Sequence, residues 1–340
     1  MIELFESILA LGRMQKASDI HFSMNDHIMM RVDGKLIKPP LSVNTVQDMI
    51  TSLLSDEQKN KLARLEDIDC VYEDVSHERY RMNIYRENGM YALAVRIIYQ
   101  NVISIDDYGF PQIFKEFAKM KNGLVLVTGP TGSGKSTTLA SIIDYINQNR
   151  ECHILTIEDP IEYVYQSSKS LIHQREIGLD VKDYMTAITS ALREDPDVIV
   201  VGEMRDYQTI QAVMTLAETG HLVFSTLHTI GAVKTMDRII DSFPKNSQEQ
   251  IRVQLSSVLK GVVSQQLLPL KQGGRKAAFE IMVVDNAISH LIREKKTHMI
   301  YSNLQLGSAK GMQTMESHIQ QLLSLGEISE EVAKECSDQL

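Results

Sequence analysis

The chain has 340 residues, 43% of them hydrophobic, which is enough for a sizeable core and for about two domains. Its net charge of −9 argues against nucleic acid or an anionic membrane surface as the main partner. No apolar run of about 18 residues occurs, so we expect no transmembrane helix and no direct membrane insertion. The three isolated cysteines form no C-x-x-C pair, which predicts a reducing cytoplasm and no zinc site.

Residues 1–98 are predicted to form a small α+β domain. An amphipathic helix comes first, and its apolar face carries Ile2, Phe5, Ile8, Leu9 and Leu11. A hairpin with a turn at Asp33-Gly34 follows. A polar helix is then predicted over 46–65, with Asn44 as its N-cap. A second hairpin, YRMNIYRENGMYALAVRII, closes the domain.

Beyond a linker predicted over 99–120, strands alternate with helices in a second domain, 121–340. The apolar strands are predicted at 124–128, 154–157, 198–201 and 222–225. The helices between them are predicted at 137–147, 181–192 and 207–218. This alternation implies an α/β fold with a doubly wound, mainly parallel sheet. The tail, about 245–340, is predicted to be helical, with a capping box formed by Ser247 and Gln250.

The most informative stretch is LVLVTGPTGSGKSTT, an apolar run followed by G-x-x-x-x-G-K-S and then a helix. Such a loop turns several backbone N–H groups inward around a phosphate, and the helix dipole favours the same anion. Lys135 adds a mobile positive charge, and the Ser136 hydroxyl is placed to ligate Mg²⁺. The predicted nucleotide-binding residues are Gly129, Pro130, Thr131, Gly132, Ser133, Gly134, Lys135, Ser136 and Thr137. The alternative is a glycine-rich turn with a chance Lys-Ser pair.

Two other predicted strands end in carboxylates, where ligands gather in a parallel sheet. The first is followed by Glu158, Asp159 and Glu162, and the second by Glu203. Hydrolysis of a γ-phosphate needs Mg²⁺ on the phosphate oxygens and a group that orients the attacking water. One acid can hold the metal and another can take the water's proton. The alternative is that these acids only solvate turns.

Two histidines flank the fourth strand. His228 lies just past its carboxyl end, where it is either a sensor of the γ-phosphate or a satisfied polar residue. His221, at the start of the strand, is expected to pack or to form hydrogen bonds. The two positions need not face the same way, because side chains alternate along a strand.

An arginine pair is predicted in the second hairpin. An even-length loop places Arg81 and Arg96 on the same face of their two strands. Like charges this close are destabilising unless an anion lies between them. A γ-phosphate would satisfy both side chains as arginine fingers. The alternative is two solvated arginines on an exposed face.

Together these motifs resemble those of the secretion-superfamily ATPases, and most of all the PilT-type retraction ATPases of type IV pili. GPTGSGKST resembles their Walker A motif, TIEDPIEY their aspartate box, VGEMRD their atypical Walker B and TGHLVFSTLHT their histidine box. ASDIHFS and RVDGKL resemble their N-terminal domain. The resemblance implies a RecA-like P-loop ATPase core after a smaller PAS-like α+β domain, a helical C-terminal region, and ATP and Mg²⁺ as cofactors.

The resemblance also implies residue roles. Lys135 would bind phosphate. The implied metal ligands are Ser136 and Glu203 (directly or through water), and Glu158 and Asp159, at the end of a predicted strand, are further candidates. The implied catalytic groups are Glu162, Glu203, Arg81, Arg96 and His228. The expected partners are further copies in a homohexameric ring and an inner-membrane pilus platform protein, with the chain cytoplasmic and peripheral at the membrane's inner face. No nucleic acid is expected.

Retraction is favoured over extension because extension motors usually carry a tetracysteine zinc segment and a longer N-terminus. AISHLIRE resembles the retraction motif AIRNLIRE except at Ser289 and His290, and its apolar stripe is also that of an ordinary amphipathic helix. A nucleotide-binding ring subunit with little turnover and an extension or secretion ATPase are the alternatives. A GTPase is disfavoured because no N-K-x-D motif occurs.

Overall fold

The computed structural model of the protein describes residues 1–23, 27–40, 45–98 and 102–337. The chain divides into two compact units, Met1–Asn101 and Val102–Leu340. Within the described ranges, no helix combines the length and the apolar character that a membrane crossing requires.

The first unit is a six-stranded antiparallel sheet with helices. Its helices are α1 Ile2–Met14, α2 Val46–Leu53 and α3 Asp56–Ala63. Its strands are β1 Asp19–Ser23, β2 His27–Val32, β3 Lys35–Ile37, β4 Ile68–Glu73, β5 Arg79–Glu87 and β6 Met90–Ile97. The sheet order is β3-β2-β1-β6-β5-β4, so the two predicted hairpins, β2–β3 and β5–β6, lie on either side of β1.

Turn chemistry explains both hairpins. Asp33-Gly34 and Asn88-Gly89 have positive φ at both residues, as two-residue hairpin turns require.

The single helix predicted over 46–65 is wrong. The chain leaves the helical conformation at Leu54 and restarts α3 with Ser55 as its N-cap, in a capping box with Gln58. The predicted Asn44 cap lies outside the described residues.

The core of the first unit lies between α1, α2 and one face of the sheet. Phe5, Ile8, Phe22 and Tyr80 are among its buried side chains. Each large apolar side chain buried in this way contributes about 1.5–3 kcal/mol. Ile2, at the first turn of α1, is half exposed, so the predicted apolar face begins at Phe5.

The second unit is an α/β sandwich. Its strands are β7 Gly123–Thr128, β8 His153–Glu158, β9 Leu171–Glu176, β10 Val198–Val201, β11 Leu222–Leu227, β12 Leu259–Pro269 and β13 Arg275–Val283. Its helices are α4 Ile113–Lys119, α5 Lys135–Asn149, α6 Tyr184–Ala191, α7 Tyr207–Glu218, α8 Ala232–Asp241, α9 Gln248–Val258, α10 Asn286–Arg293, α11 Ile300–Leu306, α12 Met315–Ser324 and α13 Glu330–Ser337. The four predicted strands and the three predicted helices are all present.

The sheet order is β13-β12-β7-β11-β10-β8-β9, and every neighbouring pair is parallel except β12–β13. Apolar clusters cover both faces, one around Leu126, Ile157 and Val213 and the other around Val127 and Phe224. Strands β7, β10 and β11 are buried at every position, as expected for a parallel sheet covered by helices on both sides. The doubly wound fold is confirmed.

The C-terminal region is helical, but it also contributes the strand pair β12–β13, which the sequence interpretation missed. Strand β12 is buried at nearly every position, so it lacks the period of two that identifies a half-buried strand. The predicted capping box at Ser247 is not formed. Its hydroxyl donates instead to the Pro244 carbonyl, although α9 does begin at the next residue.

The stretch 99–120, expected to be a linker, contains helix α4. Phe114 and Phe117 of this helix are fully buried in the apolar cluster around Val127. Gly261 of β12 packs so tightly against the Phe117 ring that a Cβ there would lie 2.4 Å from it. Residues from 102 onward therefore fold as part of the second unit.

Helix α10 coincides with the segment that resembles the retraction motif. Its predicted apolar stripe, Ile288, Leu291 and Ile292, is buried. Ser289 donates a hydrogen bond of 2.6 Å to the Ser256 carbonyl near the end of α9. His290 is exposed. One of the two departures from the motif therefore ties α10 to α9, and the other faces solvent.

Candidate active site

The loop between β7 and α5 has the geometry of an anion cradle. Gly129, Gly132 and Gly134 all have positive φ. Helix α5 begins with Gly134 as its N-cap and has no side-chain cap. Three other helices of the same unit are capped by the side chains of Asp183, Asp206 and Asp285. The N–H groups in the first turn of α5 are therefore not capped by a side chain and suit a phosphate.

Lys135 lies over this loop. Its Nζ donates to the carbonyl oxygens of Gly129 and Pro130, at 2.8 and 3.0 Å. Burial lowers the pKa of Lys135, and the negative charges of Glu203 and Glu162 partly offset that effect. Two carboxylates that follow different strands therefore act electrostatically on the same lysine.

The sheet order explains this convergence. Strands β7, β11, β10 and β8 are parallel neighbours, so their carboxyl ends meet at one edge of the sheet. Lys135 follows β7, His228 follows β11, Glu203 follows β10, and Glu158 ends β8. Ligands bind at this edge of open α/β sheets. His221 lies at the opposite end of β11, where it contacts the Leu216 carbonyl, as its predicted polar role requires.

Glu203 has two cationic or polar partners. Arg205 forms an ion pair with Oε1, and His228 Nε2 lies 3.2 Å from Oε2. Burial would raise the pKa of Glu203, but the hydrogen bonds from Arg205 and His228 outweigh it and lower that pKa. His228 Nδ1 also lies 3.4 Å from the Thr131 hydroxyl in the phosphate loop. Glu203 is thus ionised, and His228 joins it to the loop. The sequence interpretation did not single out Arg205.

Glu158 and Glu162 lie in different environments. The Glu158 carboxylate accepts hydrogen bonds from the Thr156 hydroxyl at 2.6 Å and from the Glu162 N–H at 3.4 Å. Burial raises its pKa to about 7. The side chains of Asp159 and Glu162 are exposed. Glu158 is therefore turned into the protein as a structural acceptor, whereas Glu162 can meet a water molecule.

Oxygen donors suited to a hard cation border the loop. Ser136 lies in the first turn of α5, and Glu203 is ionised nearby. No group of three or more His, Cys, Asp or Glu side chains suited to a metal occurs within the described part of the chain. Mg²⁺ does not need one, because it binds through one or two carboxylates and substrate phosphates. The residues present therefore fit a nucleotide-bound Mg²⁺.

Gln265 of β12 supports the phosphate loop and was missed with its strand. Its side chain is buried, and its Nε2 donates to the Ser133 carbonyl at 2.6 Å. The backbone carbonyl oxygen of Gln265 lies beside Gly129. The available signal was the Gly273-Gly274 pair, which marks the turn between β12 and β13.

The arginine pair has the predicted geometry. Arg81 and Arg96 are directly opposite each other in the β5–β6 register, so their shared face is confirmed. Arg96 donates to Asp19 at 3.0 Å, and Arg81 lies 3.9 Å from Asp69. Since each arginine has a carboxylate beside it, the pair is compatible with the fold without an intervening anion. The register continues from Arg96 through Asp19 to Arg31, forming a polar row across four strands.

The fold and the site together define a P-loop ATPase with a RecA-like core. The chain belongs to the family described as type II/IV secretion system protein, whose model matches residues 1–334. It is 45% identical over 331 residues to the type IV pilus retraction ATPase PilT of Pseudomonas aeruginosa, covering 96% of each chain. It is 48% identical over 310 residues to a twitching motility protein of Neisseria gonorrhoeae, covering 90% of this chain and 83% of the relative.

A solved structure of the pilus retraction motor PilT with bound ADP superimposes on this chain with a TM-score of 0.87. Its sequence is 43% identical, and the match covers 96% of this chain and 95% of that chain. The resemblance inferred from the motifs is confirmed.

Proposed function

We propose that this chain is the motor ATPase that retracts type IV pili by coupling ATP hydrolysis to pilin depolymerisation. The observation that carries the proposal is the similarity to PilT of Pseudomonas aeruginosa over 96% of both chains. We further propose that the protein works as a homohexameric ring, peripheral at the cytoplasmic face of the inner membrane, on the pilus platform protein.

In the proposed site, the backbone of the 129–137 loop and Lys135 bind the phosphates, and Ser136 and Glu203 would hold Mg²⁺. When bound, Mg²⁺ neutralises charge on the phosphate oxygens. Glu162 accepts the proton of the attacking water, since its carboxylate is exposed and a carboxylate can act as a general base. His228 links Glu203 to Thr131, so it orients the metal-binding carboxylate against the phosphate loop.

The direction of pilus movement is tested by deleting the gene in its host. We expect cells with excess surface pili and no twitching, because pili would still be extended but not withdrawn. The measurement is electron microscopy of pili beside a twitching assay, with the wild-type gene restored on a plasmid as the control. Bald cells would instead support an extension ATPase.

Arg81 and Arg96 are proposed to reach the γ-phosphate as arginine fingers. Replacing either residue with alanine should lower ATP hydrolysis by about 10³-fold, the lower end of the range for such residues. Both side chains are partly exposed, so loss of a surface ion pair should change the free energy of unfolding by less than about 1 kcal/mol. The measurements are steady-state ATPase rates and thermal unfolding.

Arg86 provides a matched control for the arginine variants. It is exposed, lies on the same strand β5, and points to the opposite face because it is five residues from Arg81. Its substitution by alanine should leave hydrolysis unchanged. If both Arg81→Ala and Arg96→Ala hydrolyse ATP at the wild-type rate, the finger proposal fails.

A further inference from the structure

Gln174 of strand β9 is bound to the loop that carries Glu162. Its Oε1 accepts the N–H of Tyr165 at 2.9 Å, and its Nε2 donates to the carbonyl of Tyr163 at 2.8 Å. These two bonds join one side-chain amide to alternate residues, as the N–H and C=O of one residue in a neighbouring parallel strand do. The backbone immediately after Glu162 is therefore held by a single side chain.

Gln174 also acts on the other side of Glu162. Its Nε2 lies 3.3 Å from Oε1 of Glu158, whose second oxygen accepts the N–H of Glu162. Thr156 donates to the same Glu158 carboxylate. The main chain of Glu162 is thus fixed at its own N–H through Glu158 and at the next carbonyl through Gln174.

The same loop is joined to the phosphate-binding helix. The hydroxyl groups of Tyr163 and Thr137 lie 2.9 Å apart, and Thr137 directly follows Ser136 in the first turn of α5. Tyr163 is therefore tied to α5 by its ring and to β9 by its carbonyl. Glu162, its neighbour, is held at a set position relative to the phosphate loop.

We propose that Gln174 is a positioning residue for ATP hydrolysis, which acts by holding the backbone around Glu162. The inference rests on the proposed role of Glu162 as the base. Within the described residues, every hydrogen bond of the Gln174 side chain goes to Glu158, Tyr163 or Tyr165. Its loss should therefore change the rate of the chemical step without changing nucleotide affinity, because a displaced base costs rate.

The test compares Gln174→Ala and Gln174→Glu with the wild-type chain. The glutamate variant keeps an acceptor for the Tyr165 N–H but loses the donor to Tyr163, so it probes the bridge with little change of volume. We expect kcat to fall roughly 10- to 100-fold in both variants. The dissociation constant for ADP should be unchanged. Thermal unfolding of each variant shows that the protein measured is folded.

Asn147 of helix α5 gives a matched control, because its side chain bonds to the same loop. Its buried amide makes the same kind of bridge, donating to the Gln166 carbonyl at 2.8 Å and accepting the Ser168 N–H at 2.9 Å. Asn147→Ala should therefore lower the unfolding temperature at least as much as Gln174→Ala, while kcat stays near the wild-type value. An equal loss of kcat in both would reduce the role of Gln174 to loop stability.

Glu162→Gln is measured in parallel to separate the two proposals. If it hydrolyses ATP normally, the proposed function of Glu162 fails, whatever Gln174 does. If Glu162→Gln is inactive but both Gln174 variants keep the wild-type kcat, only the positioning proposal is overturned. A loss of ADP affinity that accompanies the loss of kcat in the Gln174 variants would also overturn it.

Discussion

Replacing Glu162 with glutamine should lower ATP hydrolysis by roughly 10²- to 10⁴-fold while nucleotide binding is retained. The amide has the shape of the carboxylate but cannot accept the proton of the attacking water. The Glu162 side chain is exposed, and it is the backbone N–H of this residue that bonds to Glu158, so the fold should be unaffected. The measurements are the steady-state rate at saturating ATP and the binding of ADP.

The structure favours Glu162 over Glu158 as the base. Glu158 is engaged by Thr156, by Gln174 and by the Glu162 N–H, and burial raises its pKa to about 7. Its oxygens face the protein. Glu162 is exposed and contributes a negative charge felt by Lys135. Of these two glutamates, Glu162 is the one that combines access to water with an electrostatic effect on Lys135.

Glu151 serves as the control for the Glu162 variant. It is an exposed glutamate just after α5, away from the carboxyl edge of the sheet. Glu151→Gln should hydrolyse ATP normally, which separates loss of the base from a general change in surface charge. Near-normal hydrolysis by Glu162→Gln, with Glu151→Gln also active, would remove Glu162 from the catalytic role.

The parts of the fold that depend on local chemistry were predictable from the sequence. The turn at Asp33-Gly34 needs positive φ at both residues, and that residue pair supplies it. The phosphate loop is equally local, because its glycines, Lys135 and the start of α5 are consecutive. The shared face of Arg81 and Arg96 followed from counting residues across one hairpin.

What the sequence did not reveal depends on contacts between distant segments. Strand β12 is buried on both faces, so its apolar pattern has no period that distinguishes a strand from a buried helix. Its Gln265 reaches Ser133, 132 residues away along the chain. The carboxylates beside Arg81 and Arg96 come from β4 and β1. Such partners become visible only when the sheet order is known.

Gly129 shows how strongly strand β12, which the sequence interpretation missed, constrains the phosphate loop. Its φ is +145°, a conformation that side chains with a Cβ rarely adopt. A Cβ at this position would lie 2.3 Å from the Gln265 carbonyl oxygen and 2.7 Å from the Ser133 hydroxyl. The first obstacle is backbone of β12 and cannot rotate away. The loop therefore needs glycine here because of β12 as well as because of phosphate.

Gly129→Ala should consequently lower the free energy of unfolding by about 2–6 kcal/mol, the sum of backbone strain and overpacking. Nucleotide affinity should fall at least roughly tenfold, or about 1.4 kcal/mol, because the loop must move away from β12. Urea unfolding and ADP titration measure the two effects.

Gly273→Ala provides the comparison for Gly129→Ala, since it separates backbone strain from steric overlap. Gly273 also has positive φ, +87°, but no atom of the described residues beyond its chain neighbours lies within 4 Å of its Cβ position. Its substitution should cost only about 1 kcal/mol and leave ADP affinity unchanged. If Gly129→Ala lowered stability and ADP affinity no more than Gly273→Ala does, contact with β12 would not constrain the phosphate loop. A larger loss at Gly129 would make β12 a structural part of the nucleotide site.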